Sequence, residues 1–380
     1  MMVEELLETC TVSDTVHLDG PLAIIPPTYF APDHEDALRY ILSMINLYGP
    51  DTKIVYSWHS EGFLVEVIQL MNTLGEILIT EHNVPIENFV YISAAAPVKD
   101  NVEYYKTYKN LFPYIPNRVY FEKTWEGSAS VFLPNEPRAP DHSLDPNREK
   151  NFIFLNGGAR SHRVVALTEL YNRGLLDKSY LSFYDRSIHE GPIYDIFPNL
   201  ADSVIETHTN FLRDMLPIKL TLTEDKHNMY HLTADDIELH QNSLFSLISE
   251  TLFCSNIDTM LESEHYFANA QCFPCILLSE KTCRTIKQQH PFIILGHVNT
   301  LKGLREMGYK TFSPYINESY DEIQNDEERL IAVINEVERL SNMSIDETKD
   351  WLEGVHQITK YNFKHLTQQE LTITKVDISL

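Results

Sequence analysis

Apolar and polar positions run along the chain in blocks that switch between the period of a strand and that of a helix. Residues 21–30 (PLAIIPPTYF) predict a short strand entering a proline turn. Residues 36–47 predict a helix with Leu38, Ile41, Leu42 and Ile45 on one side. Residues 53–57 (KIVYS) predict a strand that ends in the polar loop WHSEGF, followed by a helix over 64–74. A strand at 88–93, a Tyr-rich helix at 102–111 and a strand at 118–121 complete a βαβαβ alternation. That order predicts an open parallel sheet with helices on both faces.

Residues 133–150 (LPNEPRAPDHSLDPNREK) lose both periods and are rich in proline and charge, which predicts a linker and a boundary near residue 148. Beyond it, strands are predicted at 151–155, 179–184, 245–249 and at FIIL, residues 292–295. Helices are predicted after Ser161, near 210–216, from Ser279 to before Pro291, and over 301–307 with Gly308 as its stop. The segment YKTF, residues 309–312, reads as following that helix in a further βαβαβ-like pattern. Asp235 and Asp236 read as a helix start. From Asp326 onward Leu330, Val333, Ile334, Val337 and Leu340 keep helix spacing, and Ser344 with Glu347 forms a capping box for a last helix. No short internal repeat is visible. The expected organisation is an α/β chain of two Rossmann-like doubly wound domains facing across a cleft: residues 1–148, residues 149–345, and a C-terminal helix and tail, 346–380, packing back on the first domain.

Composition changes this picture in three ways. The length of 380 residues suffices for two cores. Fifty-five acidic against thirty basic residues give a formal net charge of −25, which opposes non-specific nucleic-acid binding and makes each cluster of cations informative. Five cysteines, no apolar run of membrane-spanning length and an acidic start without a leader pattern predict a cytoplasmic protein with reduced thiols. The pair Cys272 and Cys275, with Cys254 and Cys283 nearby, is one tight pair where a zinc site would show two.

The densest local signal is NFIFLNGGARSHRVVALTELYNRG, residues 151–174. A buried strand breaks at Asn156, Gly157 and Gly158. Ser161 can cap a helix carrying Val164, Val165, Leu167, Leu170 and Tyr171 on one face, and Gly174 stands where the helix would close left-handed. Free amides, a helix N-terminus, Arg160 and Arg163 would meet at the turn, which suits an anion such as a phosphate. The plain alternative is an αβ unit with two surface arginines, because the glycines match neither common phosphate-loop pattern. The second cationic element, LLSEKTCRTIKQQHPFIILG, places Lys281, Arg284 and Lys287 near one helix face behind Ser279. Its plain alternative is a capped helix with a solvated charged face.

Two such halves joined by a proline-rich linker match the GT-B architecture of glycosyltransferases. NGGARSHRVVALTELYNRGLLDKSY, SETLF, LSEKTCRTIKQQHPFIILG and TLKGLREMGYKTF resemble, in this order, glycosyltransferases encoded by aquatic phages and giant viruses. SEK before a helix and PFIILG is similar to the TEK signature of α-1,3-fucosyltransferases, which use GDP-fucose. The resemblance spans most of residues 150–340; over 1–140 it is confined to the strand–EG–helix at Glu61 and Gly62. It implies that Glu280 and Lys281 contact the ribose and phosphates of a nucleoside diphosphate sugar. It also implies that an arginine after the first strand of that domain, Arg160 or Arg163, holds the diphosphate. Ser279 stands where the family has threonine, and Arg284 where it has an aromatic residue.

Transfer of a sugar from a nucleoside diphosphate requires charge stabilisation on the leaving group and a base for the acceptor hydroxyl. Arg160, Arg163, Lys281 and the helix N-termini would serve the first need, so neither metal nor further cofactor is expected. For the second, Glu61 at a strand end is the first candidate and His59 the next; direct attack with Glu61 as base would invert the anomeric centre. As a plain alternative, Glu61 is a carboxylate favoured by a helix start. Glu250, in SET, would touch the sugar or ribose, or is simply a charge at a strand end. The expected acceptor is a glycan or another hydroxyl-bearing small molecule. A hydroxymethylated DNA base and a non-catalytic nucleotide-sugar binder are the alternatives.

Overall fold

The structure is a computed structural model. It describes residues 22–25, 34–58, 63–93, 95–96, 98–122, 144–156, 161–183, 234–251, 253, 272–273, 275–368 and 373–377. The fold is mixed α/β with parallel sheets. No helix among the described residues is long and apolar enough to cross a membrane. The helix expected near residues 210–216 lies outside the described residues.

The chain divides into two compact units, one of Met1–Gly127, Gln271–Leu277 and Glu370–Leu380, the other of Ser128–Ala270 and Leu278–Gln369. This differs from a second domain running unbroken over 149–345, because residues 271–277 return to the first unit. The C-terminal segment divides too: its helix belongs to the second unit and its tail to the first.

In the first unit, β1 (Leu22–Ile25), β2 (Lys53–Trp58), β4 (Phe89–Ser93) and β5 (Arg118–Glu122) are parallel neighbours in that order. The tail strand β11 (Ile373–Asp377) closes the edge antiparallel to β5. Helices α1 (His34–Tyr48), α2 (Val65–Thr80) and α3 (Lys99–Leu111) make the crossovers. The order never reverses, and right-handed crossovers in one direction place connecting helices on one face; α1 and α2 pack together. Of the predicted α1 stripe only Ile41 is buried, with Ala37 beside it.

Helix α2 continues past its predicted stop because Gly75 is where it crosses the chain at Tyr114. A Cβ at Gly75 would lie 2.2 Å from the Tyr114 carbonyl oxygen. The short strand β3 (Phe63–Leu64) pairs antiparallel with β9 (Cys272–Phe273). The buried amide of Asn101 then holds the segment after β9. It accepts from Ile276 N at 2.7 Å and donates to Ile276 O at 2.8 Å and to Ala96 O at 2.7 Å.

The second unit is built on β6 (Lys150–Asn156), β7 (Ser179–Phe183), β8 (Ser243–Ser249) and β10 (Phe292–Leu295), all parallel, in the order β10-β8-β6-β7. All seven residues of β8 are buried, as in a central parallel strand covered on both faces. The strand begins two residues before its predicted start because Ser243 and Ser246 are inside it. Both bond to the buried His290, Ser243 through its carbonyl at 3.1 Å and Ser246 through its hydroxyl at 2.8 Å.

Helix α4 (Ser161–Asn172) ends as its glycine predicts. Gly174 has φ +66°, Gly174 N–H donates to Tyr171 O at 2.9 Å, and Leu175 N–H reaches back to Leu170 O at 2.9 Å. Tyr171, expected on the buried face, is exposed. Helix α5 (Ala234–Gln241) starts at the expected Asp235–Asp236 pair. Helices α6 (Glu280–Lys287), α7 (Thr300–Glu306), α8 (Asp326–Ser341) and α9 (Ile345–Gln368) follow. Residues 309–312 form no strand; Tyr309 and Phe312 are buried from a loop. The five apolar residues expected to line α8 are all buried. The Ser344–Glu347 box forms, with Ser344 N–H donating to Glu347 Oε2 at 2.8 Å.

Candidate functional site

The chain leaves β6 for β7 on one side and returns to the other side of β6 with β8, then continues to β10. The winding reverses between β6 and β8. In open parallel sheets the crevice beyond the carboxyl ends of the strands at such a reversal is where ligands sit. Asn156 ends β6, Ser249 ends β8, and Glu250 follows it. The register that pairs Ile153 with Ser246 brings Asn156 level with Ser249.

Glu250 joins three elements. Its N–H donates to Leu295 O on β10 at 3.0 Å. Its carbonyl accepts from Arg163 Nη2 at 3.2 Å and lies 3.0 Å from His162 Nε2, both at the start of α4. A carbonyl can only accept, so Nε2 of His162 carries the proton. The carboxylate reaches α6: Oε1 accepts from Ser279 N–H at 3.2 Å and from the Thr282 hydroxyl at 2.6 Å. Side chains alternate across a strand. Ser249 accordingly turns its hydroxyl to Arg163 Nε at 3.1 Å on α4, and Glu250 turns the other way to α6.

The structure places Arg163 inside the fold. The side chain is 5% exposed, and its guanidinium is committed to Ser249 Oγ, Ser249 O and Glu250 O. It fastens the end of β8 from within the fold. Two amides at the start of α6 are already engaged. Ser279 is the N-cap as predicted, accepting from Lys281 N–H at 3.3 Å, and its own N–H is taken by Glu250. Lys281 lays its ammonium on Ser279 Oγ at 3.2 Å. Lys281, Arg284 and Lys287 do share the half-exposed face of α6, with the residues between them buried.

Two groups at the reversal are buried with hydrogen-bonding capacity unmet. Asn156 is 2% exposed, and neither Nδ2 nor Oδ1 has a partner among the described residues. Glu250 is fully buried and its Oε2 has none there. Buried polar atoms are nearly always paired, and those left open in a native fold call for a specific reason, a ligand among them. An amide and a carboxylate at neighbouring strand tips, beside a lysine, offer acceptors for hydroxyl groups and one cation for a phosphate.

Glu61, His59, Gly157, Gly158 and Arg160 lie outside the described residues, as does the side chain of Glu280 at the start of α6. Cys275 and Cys283 are buried and form no disulfide. Among the described residues no three His, Cys, Asp or Glu side chains gather as a metal would need. Sequence reasoning missed His162 and Thr282, which bond Glu250, Ser249, which precedes it and bonds Arg163, Phe253, which stacks on His162, and Arg329, which lies on Phe253. None of them carries a pattern signal; Arg329 sits in an acidic helix start, DEER, that reads as a solvated face.

Compared with protein-family models and with curated proteins, the sequence matches none.

Proposed function

We propose that the protein is a glycosyltransferase that moves a sugar from a nucleoside diphosphate sugar to a hydroxyl acceptor, in the GT-B manner that its motifs resemble. The observation that carries this reading is the pair of buried polar side chains, Asn156 and Glu250, at the reversal between β6 and β8, with hydrogen-bonding atoms unmet among the described residues. Hydroxyls of a ribose or of the transferred sugar would complete them. Lys281, the nearest cation on the helix that Glu250 caps, would face the diphosphate. Arg160 takes the diphosphate role in preference to Arg163, whose guanidinium is occupied inside the fold. Glu61 supplies the base, with His59 as the alternative, and the reaction inverts without a metal.

The test is a thermal-shift panel of nucleoside diphosphates and their sugars on the full chain. A ligand present at a hundred times its Kd stabilises the folded form by about 2.7 kcal/mol, which shifts the melting temperature readily. One nucleotide class should raise it, and Lys281→Ala should weaken the effect. No response to any member of the panel would remove the reading.

A further inference from the structure

Three flat groups are stacked within the second unit, between the start of α8 and the start of α4. The guanidinium of Arg329 lies 4.4 Å from the ring centroid of Phe253, and the Phe253 ring is stacked on the His162 ring at 5.1 Å with an interplanar angle of 11°. Arg329 and His162 are each 1% exposed and Phe253 is 2% exposed. The guanidinium also donates to Phe253 O at 2.6 Å, Gly296 O at 3.2 Å and Ile323 O at 2.8 Å, and pairs with Asp326. One buried cation thus holds the chain beyond two neighbouring strands, at Phe253 after β8 and at Gly296 after β10. The far member of the stack, His162, donates from Nε2 to the Glu250 carbonyl.

We propose that Arg329, Phe253 and His162 are positioning residues that set where the Glu250 carboxylate stands. Their stack fixes the main chain of Glu250 on the α4 face of the sheet, and the residue's side chain delivers that position to Ser279 and Thr282 on the opposite face. A planar fork and two rings give this linkage a defined geometry that an aliphatic filling would lack. The unmet Oε2 of Glu250 is aimed by the same constraint. The consequence for ligand binding rests on the nucleotide-sugar reading; the linkage itself does not.

The experiment measures amide hydrogen exchange in the full chain and its Phe253→Leu and Phe253→Tyr variants. Phe253→Leu keeps an apolar filling and removes the stack. Exchange at the Ser279 amide, across the sheet, should quicken roughly fivefold or more, the scale of one lost hydrogen bond, while amides in the middle of α8 stay as they were. Phe253→Tyr, which keeps a ring, should restore slow exchange. If Phe253→Leu does not fold, His162→Gln replaces it: an amide N–H still serves the Glu250 carbonyl but the ring contact is gone, and Ser279 should again exchange faster. Unchanged exchange at Ser279 in a folded variant overturns the positioning role. In parallel, UDP and GDP are tested by thermal shift. A shift seen in the parent and lost in Phe253→Leu extends the role to ligand binding, and a shift kept in full refutes that extension. Absence of any shift in the parent counts against the nucleotide reading and leaves the exchange result to decide the positioning claim.

Discussion

The hydroxyl of Thr282 donates a 2.6 Å hydrogen bond to Oε1 of Glu250, linking the first turn of a helix to the tip of the central strand. The acceptor is a buried carboxylate, so the bond belongs to the stronger, charge-assisted class. Thr282→Val keeps the shape and removes the donor. It should cost about 1.5–3 kcal/mol in urea unfolding, and Thr282→Ser should recover most of that. A Val variant as stable as the parent would mean that the carboxylate finds its partners elsewhere.

Arg163 separates two accounts of the site. As a surface ligand for a phosphate, its removal would spare stability and abolish binding. As the buried fastener seen here, it serves Ser249 and the Glu250 carbonyl. Arg163→Met should therefore lower stability by about 2 kcal/mol or more, because buried acceptors lose their donors. Arg163→Lys should recover little, since an ammonium cannot reproduce the fork. Chemical denaturation without any ligand measures the difference.

Two helical glycines should respond differently to the same change. Alanine favours a helix over glycine by about 1 kcal/mol. At Gly75 the new Cβ would meet a backbone carbonyl 2.2 Å away, at Tyr114. Gly75→Ala should thus destabilise by about 1–3 kcal/mol net of overpacking. At Gly354 the obstacle is the ring of Tyr315, 2.1 Å from the ideal Cβ but 36% exposed and free to swing outward. Gly354→Ala should stay within about 1 kcal/mol of the parent. Equal losses in the two variants, read from melting curves, would contradict this contrast.

Burial lowers the ammonium of Lys109 from its usual 10.5 to about 8. It donates to the carbonyls of Pro113 and Ile115 at the end of α3. Between these two values the unfolded chain holds the proton and the folded chain has released it, so folding stability rises with pH there. Below pH 8 both states are protonated and the penalty of the buried charge is fully felt. Relative to Lys109→Met, the parent should gain stability from pH 8 to pH 10, measured by urea titration at each pH. A difference that is flat over this window would show that the ammonium is not perturbed. The side chain's own titration by NMR should have its midpoint near 8.

The local order of the chain was largely determined by its sequence. Apolar spacing located α8 and its buried stripe, Gly174 marked a helix end that only a left-handed residue can make, and the Ser344–Glu347 pair specified a cap. Each depends on neighbours within a few positions, which is the range over which periodicity and capping act. Strand tips and a helix cap were equally legible, so Asn156, Glu250 and Ser279 stand out in the sequence itself.

What those residues do was decided only by tertiary structure. Whether Arg163 points outward or beneath a strand depends on residues 86 and 87 positions away, and the same charge reads alike in both cases. Arg329 stands in an acidic helix start yet is fully enclosed, because three carbonyls from separate segments converge on it. The return of residues 271–277 to the first unit is likewise invisible to local pattern, since it rests on the pairing of β3 with β9. Hydrophobic period specifies which face of an element is covered; hydrogen bonds between distant segments select the partner, and those exist only once the chain has folded.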